Sequence, residues 1–199
     1  MASGRGKLVV ISAPSGAGKT SIARAILDAN PLLEFSVSAT TRPRRSGETE
    51  GKDYFFLTRE EFTRRTAQGE FVEWEELYGH LYGTLRSEID RALVHGRHLL
   101  FDVDVNGGLS IKKQYPEALL IFVCPPDQET LRRRLENRGT EDRQTIDRRM
   151  ARVPMEMEKG KLFDHQVVND DLERAVNEVL KIVNEYLSST RSTHGHQAH

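Results

Sequence analysis

The chain has 199 residues, and its 29 Lys and Arg nearly balance its 30 Asp and Glu, which leaves a formal net charge of −1 at pH 7. This balance argues against a dedicated nucleic-acid-binding protein, and no apolar run approaches the roughly 20 residues of a membrane-spanning helix. The N-terminus lacks the apolar segment of a signal peptide, and a single cysteine excludes a disulfide framework. We therefore expect one cytoplasmic domain that binds neither nucleic acid nor a membrane.

Continuous apolar runs alternate with helical segments along most of the chain. Such runs are typical of strands buried on both faces of a parallel sheet, so Cys124, at the end of the third run, is predicted to be a core thiol. Asp127 is predicted to cap the helix that follows that run, and Asp170 or Asp171 the last helix. The pattern predicts an α/β fold with a doubly wound parallel sheet. The runs are Lys7–Ser12, His98–Val105 and Ala118–Cys124, with a last short strand near 165–171 and an amphipathic helix marked by Leu172, Val176, Val179, Leu180, Val183 and Leu187.

Residues 35–94 interrupt this alternation, because they are richer in aromatic and turn residues. Strands are predicted within 34–38, 52–57 and 69–77, and Thr58 with Glu61 forms the capping box of a short helix. We interpret 35–94 as an inserted α+β subdomain between core segments 5–34 and 95–188. A second unusual region has eight arginines between Leu131 and Val153, and the polar end, 189–199, is predicted to be a disordered tail.

Residues 13–20 read APSGAGKT and match the phosphate-loop (P-loop) pattern G-x-x-x-x-G-K-[ST] except at Ala13, where the pattern has glycine. Gly16 and Gly18 allow backbone N–H groups to turn toward a phosphate, and Lys19 supplies a positive charge to its outer oxygens. Thr20 begins a helix and offers a hydroxyl to Mg²⁺. The loop predicts nucleotide binding, and leaves open whether the protein is a kinase, a GTPase, an ATPase motor or a binding module.

Carboxylates and arginines elsewhere are candidates to complete such a site. Asp102 and Asp104 stand two residues apart at a strand end, so we expect both on one face, as a metal-site carboxylate or as a helix cap. The insert holds Arg42, Arg44 and Arg45 within four residues, a set suited to phosphate oxygens, with Tyr54 and Tyr82 as further donors.

Glu73 is a candidate for reading a base. A carboxylate accepts two parallel hydrogen bonds, and guanine offers that pair of donors at N1–H and its 2-amino group. Adenine presents an acceptor at N1 and would leave the carboxylate unpaired. Taken alone, Glu73 is more typical of a surface residue on a strand than of a base contact.

The chain resembles the guanylate kinase family, which transfers phosphate from ATP to GMP, over about residues 7–187. The resemblance rests on APSGAGKT, FSVSATTRPRRSGETEGKDYFF, GEFVEWEELYGHLYGT, LLFDVDVNGG, RLENRGTE and VVNDDLERA in family order. It implies a P-loop core, an inserted GMP-binding subdomain, an arginine-rich lid at about 137–155, and a role in purine nucleotide metabolism. It also implies phosphorylation of GMP and dGMP with Mg²⁺.

The resemblance assigns roles residue by residue. It implies catalytic roles for Lys19, Arg45, Asp102, Arg138 and Arg149. It implies ATP contacts for Ala13, Pro14, Ser15, Gly16, Ala17, Gly18, Lys19, Thr20, Ser21, Arg134 and Asn169. It places the GMP phosphate on Arg42, Arg45, Tyr54 and Tyr82, and the guanine on Ser38, Glu73, Thr84 and Asp104. Thr20 would contact Mg²⁺, and Asp102 would act on the metal through water or arrange the phosphate-binding arginines.

Two positions depart from the family, and two other functions stay open. Many members have serine where this chain has Thr84 and glutamine where it has Asn106. One alternative is a kinase for another small phosphorylated acceptor. The other is a non-catalytic binding module like the guanylate kinase-like domains of membrane-associated scaffolds, although those commonly have degraded P-loops and this chain keeps Lys19 and Thr20. For phosphoryl transfer to GMP we expect positioning and closure around the substrates rather than a strong general base, because the acceptor phosphate is already anionic.

Overall fold

The computed structural model describes residues 6–77, 79–137, 139 and 142–189. Its strands, in chain order, are β1 (Leu8–Ser12), β2 (Leu33–Phe35), β3 (Ala39–Thr40), β4 (Phe55–Phe56), β5 (Phe71–Leu77), β6 (His80–Leu85), β7 (His98–Asp102), β8 (Leu119–Cys124) and β9 (His165–Val168). Its helices are α1 (Lys19–Ala29), α2 (Arg59–Ala67), α3 (Arg86–Val94), α4 (Val105–Gln114), α5 (Gln128–Asn137), α6 (Arg143–Gly160) and α7 (Leu172–Ser188). Arg138, part of the predicted lid, and residues 190–199 of the predicted tail lie outside the described residues.

The larger sheet is parallel throughout and has the strand order β2-β7-β1-β8-β9. Every residue of β1 is buried, as its continuous apolar run predicts. From β1 the chain fills one side of the sheet with β2 and β7, and later the other side with β8 and β9. The order therefore reverses beside β1, and in open α/β sheets ligands bind at the carboxyl ends of the strands where this happens.

Helices cover both faces of this sheet, which confirms the prediction of a doubly wound α/β fold. One face packs against α3 and α4 through Ile89 and Ile111. The other face packs against α1 and α7 through Ile22, Ile26 and Val179. Within the described ranges, no helix has both the length and the apolar character needed to cross a membrane.

The smaller sheet has the order β4-β3-β6-β5 and its own apolar core. Strands β5 and β6 are antiparallel, with an irregularity between Phe71 and Glu73. Helix α2 lies on this sheet, and the ring of its Phe62 stacks on Phe71 with centroids 4.2 Å apart. Having a separate core lets this sheet form one wall of a cleft whose other wall is the parallel sheet.

Some elements at the edges of the insert belong to the core by packing. Phe35, placed in the insert by the sequence, pairs with Leu100 in the parallel sheet. Helix α3 also fell within the predicted insert, yet its Ile89, Ala92 and Leu93 are buried in the core cluster. The physical reason is that α3 is the connection between the two sheets, and its apolar face covers the parallel sheet.

The residues predicted to cap α2, α5 and α7 lie at the starts of these helices, although one capping box is incomplete. Thr58 Oγ1 accepts from Glu61 N at 3.1 Å, but the carboxylate of Glu61 pairs with arginines of α2, so half of the capping box forms. Asp127 caps α5 by accepting from Thr130 N at 2.6 Å, as predicted, and Asp171 caps α7.

Two predicted core positions are more exposed than the sequence suggests. The apolar face of α7 begins at Ala175, because Leu172 is 45% exposed. Cys124 is half-buried, since it is the last residue of β8, and this partial burial raises the pKa of its thiol.

Candidate active site

The P-loop connects β1 to α1 and depends on glycine at two positions. Gly16 and Gly18 have φ values of 93° and 98°, in the left-handed region that L side chains avoid. A Cβ on Gly18 would also overlap Nδ2 of Asn169. Ala17 N donates to Pro14 O at 3.0 Å and closes a tight turn within the loop. The remaining backbone N–H groups and the start of α1 make a site for an anion.

Side chains from the far edge of the sheet hold this loop. Asn169, 3% exposed, follows β9 and donates from Nδ2 to Ala17 O at 2.7 Å. Arg134 of α5 donates to Asn169 O at 3.0 Å. A cavity of about 400 Å³ lies beside this contact, lined by Gly16, Gly18, Ser21, Arg134, Asn137, Asn169 and Leu172. The structure thus brings Arg134 and Asn169 together beside the loop.

Lys19 and Asp102 form an ion pair at the floor of the cleft. Asp102 ends β7 and pairs with Ile11 of β1, so the sheet register places it directly beside the loop. Lys19 Nζ also donates to Val103 O at 3.3 Å. Both charged side chains keep about a fifth of their surface exposed, so the ammonium group can still reach a bound anion.

The P-loop also forms one wall of another cavity of about 250 Å³, which is called the first cavity below. Helix α6 forms the opposite wall, and Arg149 on it donates to Ser15 Oγ in the loop. The cavity is lined by Ala13, Pro14, Ser15, Gly16, Gly18, Lys19, Thr20, Leu77, Asp104, Arg149, Arg152 and Glu156. Ala13 also packs against the apolar clusters, which gives its methyl group a place that the glycine of the pattern would leave empty.

A second cavity of about 230 Å³ lies between the two sheets. It brings together most of the residues predicted to bind the acceptor, and it shares Lys19 and Asp104 with the first cavity. The rings of Tyr54 and Tyr82 meet edge to face at 6.2 Å. The cavity is lined by Lys19, Ser38, Tyr54, Glu73, Glu75, Leu77, Tyr82, Gly83, Asp102, Val103 and Asp104.

Glu73 sits at the end of the second cavity in an environment that disfavours its charge. Burial raises its pKa to about 7, against the effect of a hydrogen bond from Thr84 and with the help of the nearby Asp104. Thr84 is fully buried and donates from Oγ1 to Glu73 Oε1 at 2.6 Å, so it supports Glu73 from behind the cavity. A Cβ on Gly107 would lie 2.8 Å from Glu73 Oε2, so glycine there lets the first turn of α4 approach this carboxylate.

Asp104 has a structural contact as well as a place in both cavities. Its Oδ1 accepts from Gly107 N at 2.8 Å and caps α4. Both expectations for Asp104, a helix cap and a site carboxylate, are therefore compatible with its position. Asn106, the departure from the family, lies beside Asp104 and contacts Lys159 of α6.

The arginines of the insert are not among the described residues that line the second cavity. Arg42 pairs with Glu48 at 2.7 Å, its guanidinium lies 5.3 Å from the ring of Tyr54, and this pairing raises its pKa. Arg45 donates its backbone N–H to Glu48 at 2.7 Å, while its side chain is exposed. Glu48 thus holds the loop and pairs with Arg42, an interaction that no sequence pattern predicts.

Sequence reasoning missed a cluster of charged residues between the two cavities. Arg152 of α6 contacts Glu75 of β5, Asp104 and Glu156. Burial and the adjacent Asp104 raise the pKa of Glu75 to about 7, and burial also raises the pKa of Glu156. Two signals were available: Glu75 follows Glu73 by two residues on one strand, and Arg152 lies in the arginine-rich segment.

The donor atoms at the loop fit Mg²⁺ bound chiefly through phosphate. Within residues 6–77, 79–137, 139 and 142–189, no group of three or more His, Cys, Asp or Glu is arranged to hold a metal. Mg²⁺ commonly binds through one or two protein oxygens, with substrate phosphates and water completing its coordination. The exposed hydroxyl of Thr20 and the carboxylate of Asp102 are of this kind.

Comparisons with known proteins agree with this architecture. The guanylate kinase family profile matches residues 5–186. The chain is 50% identical over 184 residues to a guanylate kinase of Salinibacter ruber, covering 92% of this chain and 97% of that protein. It is 45% identical over 179 residues to a guanylate kinase of Symbiobacterium thermophilum, covering 90% and 85%.

A solved structure gives the same result for the fold. The crystal structure of guanylate kinase from Anaplasma phagocytophilum superposes with a TM-score of 0.75 at 31% identity, covering 94% of this chain and 89% of that one. Sequence profile, relatives and structure agree over nearly the whole chain, and the protein therefore belongs to the guanylate kinase family.

Proposed function

We propose that this protein transfers the γ-phosphoryl group of ATP to GMP, with Mg²⁺ as the metal. The observation that carries the proposal is that the P-loop cavity and the cavity of Glu73 meet at Lys19 and Asp104. A donor and an acceptor phosphate bound in these two cavities would approach each other beside the ammonium group of Lys19. The relatives' shared description as guanylate kinases supports the same reaction.

The donor side of the proposal uses the loop and its supports. Backbone N–H groups of the loop bind the phosphates, and Lys19 offsets the charge that spreads over the transferring group. The cavity beside Arg134 and Asn169 receives the adenine. Arg149, in contact with Ser15, acts on the transferring phosphate, and we assign Arg138 the same task from the family resemblance.

In the acceptor cavity, the carboxylate of Glu73 recognises the base. Thr84 occupies one lone pair of Glu73 Oε1, which leaves further acceptor positions for N1–H and the 2-amino group of guanine. Ser38 and Asp104 complete the guanine contacts in this proposal. Adenine would present an acceptor to an ionised carboxylate and be rejected.

The acceptor phosphate is assigned to a pair of tyrosines and a pair of arginines. Tyr54 and Tyr82 already line the cavity, and Arg42 lies against the ring of Tyr54. Arg42 would exchange Glu48 for the phosphate, with Arg45 approaching from the exposed loop. No residue is assigned to the ribose 2′-hydroxyl, so the proposal includes dGMP as an acceptor.

Thr20 and Asp102 would hold the metal, Thr20 directly and Asp102 through water. When bound, Mg²⁺ supplies positive charge that neutralises the phosphate oxygens. Asp102 also orients Lys19 through their ion pair. The GMP phosphate is already anionic, so no residue is assigned as a strong general base.

The test is release of ADP from ATP and Mg²⁺ with GMP, dGMP, AMP, CMP or UMP as separate acceptors. We expect release with GMP and dGMP and little with the others. A folded, ATP-binding protein that uses none of them would favour another phosphorylated acceptor or the binding-module alternative. Lys19→Met should abolish the signal, and Lys181→Met, an exposed lysine of α7, is the matched control.

A further inference from the structure

Arg152 has no role in the proposal above, yet its guanidinium joins three structural elements. Its Nη2 donates to Glu75 Oε1 on β5 at 3.1 Å and lies 3.5 Å from Asp104 Oδ2 at the start of α4. Its Nε lies 3.5 Å from Glu156 Oε1 on its own helix, α6. One positive charge therefore connects β5 of the smaller sheet, the start of α4 and α6.

The two carboxylates that Arg152 joins belong to the two segments that adjoin Glu73, and they lie next to each other. Glu75 is two residues further along β5, so its side chain lies on the same face of the strand as that of Glu73. Asp104 caps α4 at Gly107, the residue that approaches Glu73 Oε2. A displacement of Glu75 or Asp104 would therefore move the walls that fix the carboxylate of Glu73.

The cluster depends on Arg152, the cation that contacts all three of its carboxylates. Without Arg152, the carboxylates of Glu75, Asp104 and Glu156 would repel one another with only 13–24% of their side-chain surface in solvent. Glu75 Oε2 is already buried with no hydrogen-bond partner among the described residues. Removing the cation favours protonation or separation of these carboxylates, and either change alters the contacts that hold Glu75 and Asp104 in place.

We propose that Arg152 is a positioning residue for base recognition, which holds Glu75 of β5 and Asp104 at the start of α4 in place beside Glu73 and so sets the preference for a purine with a 2-amino group. This inference rests on the proposed function, because it assumes that Glu73 reads guanine. Arg152 acts through its two partners and needs no contact with the base.

The test compares kcat/KM for GMP and for IMP, which lacks the 2-amino group but keeps the ribose and phosphate. Arg152→Met should reduce the GMP-over-IMP preference about tenfold, the equivalent of about one hydrogen bond. Because Arg152 also lines the P-loop cavity, the variant is not judged by its KM for ATP; the GMP-to-IMP ratio isolates base recognition, since both acceptors are phosphorylated from the same ATP site. Glu75→Gln should reduce the preference in the same direction from the other partner, and Arg152→Lys should retain more of it than Arg152→Met.

The control is Arg148→Met, an exposed arginine of α6 whose hydrogen bonds stay within its own helix. Thermal unfolding followed by circular dichroism identifies the folded variants, and Arg152→Lys with Glu75→Gln decides the question if Arg152→Met does not fold. Equal losses for GMP and IMP, or an unchanged preference, would overturn the inference while GMP phosphorylation by the wild type stands. A wild type that releases no ADP with GMP refutes the proposed function itself, before any variant is compared.

Discussion

Replacing Glu73 by glutamine is expected to stabilise the fold and to remove GMP use. Burial raises the pKa of Glu73 from its ordinary value near 4.5 to about 7. Since each tenfold change in proton affinity corresponds to about 1.4 kcal/mol, the ionised carboxylate costs the folded state about 3 kcal/mol above pH 7. Glutamine keeps an acceptor for the hydroxyl of Thr84, so this bond need not be lost.

The stabilisation should depend on pH with a definite sign. The folded-state pKa lies above the unfolded value, so the folded protein binds more protons between about pH 4.5 and pH 7. The free energy of unfolding of the wild type therefore falls as pH rises through this window, and the full cost is present above pH 7. The gain from Glu73→Gln should be about 3 kcal/mol at pH 8 and below about 1 kcal/mol at pH 5.

Urea unfolding of the wild type and of Glu73→Gln at pH 8 and pH 5 measures both values. Glu76→Gln is the matched control, because Glu76 is on the same strand but half-exposed and paired with Arg59, and its replacement should change stability by less than about 0.5 kcal/mol. ADP release with GMP should fall about a hundredfold in Glu73→Gln, since an amide presents a donor where two N–H groups of guanine approach. A variant no more stable than the wild type at pH 8, or equally stabilised at both pH values, would refute the reasoning.

The other predictions concern the loop and the metal. Lys19→Met should lower kcat about a hundredfold or more at unchanged folding, measured by ADP release and circular dichroism, and normal turnover would remove Lys19 from the site. Gly18→Ala should weaken ATP binding by calorimetry more than tenfold, because φ is 98° and the methyl group would meet Asn169; near-normal binding would contradict this geometry. Chelation of Mg²⁺ should stop ADP release reversibly without lowering the melting temperature, and a drop in that temperature would indicate a structural metal.

Features carried by contiguous residues could be predicted from the sequence. A P-loop binds phosphate through its own backbone, so Gly16, Gly18 and Lys19 are enough to predict its chemistry from a short stretch of sequence. The strands of the parallel sheet are covered on both faces, and their continuous apolar runs predict this burial. A helix cap such as Asp127 depends on a backbone N–H only three positions away, so it could also be predicted from the sequence.

Features that depend on the approach of distant segments could not be predicted. Arg152 and Glu75 are 77 positions apart, and their pairing requires α6 to pack across the cleft from β5. The ion pair of Glu48 with Arg42 could not be predicted for another reason. Several side chains of this loop could pair with Arg42, and the folded backbone determines which of them does. Thr84 was expected to contact the base, but it is fully buried and its hydroxyl donates to Glu73, a contact that requires β5 and β6 to pair.

The cleft between the two sheets concentrates charge that the rest of the fold avoids. Glu73, Glu75 and Glu156 all have raised pKa values because the protein removes them from water, whereas the surface carboxylates Asp127 and Asp142 have lowered values at helix caps. A fold selected for stability alone would place apolar groups in this cleft. A buried carboxylate would gain most from two N–H donors, so under the proposed function the same burial that lowers stability would sharpen the choice of base.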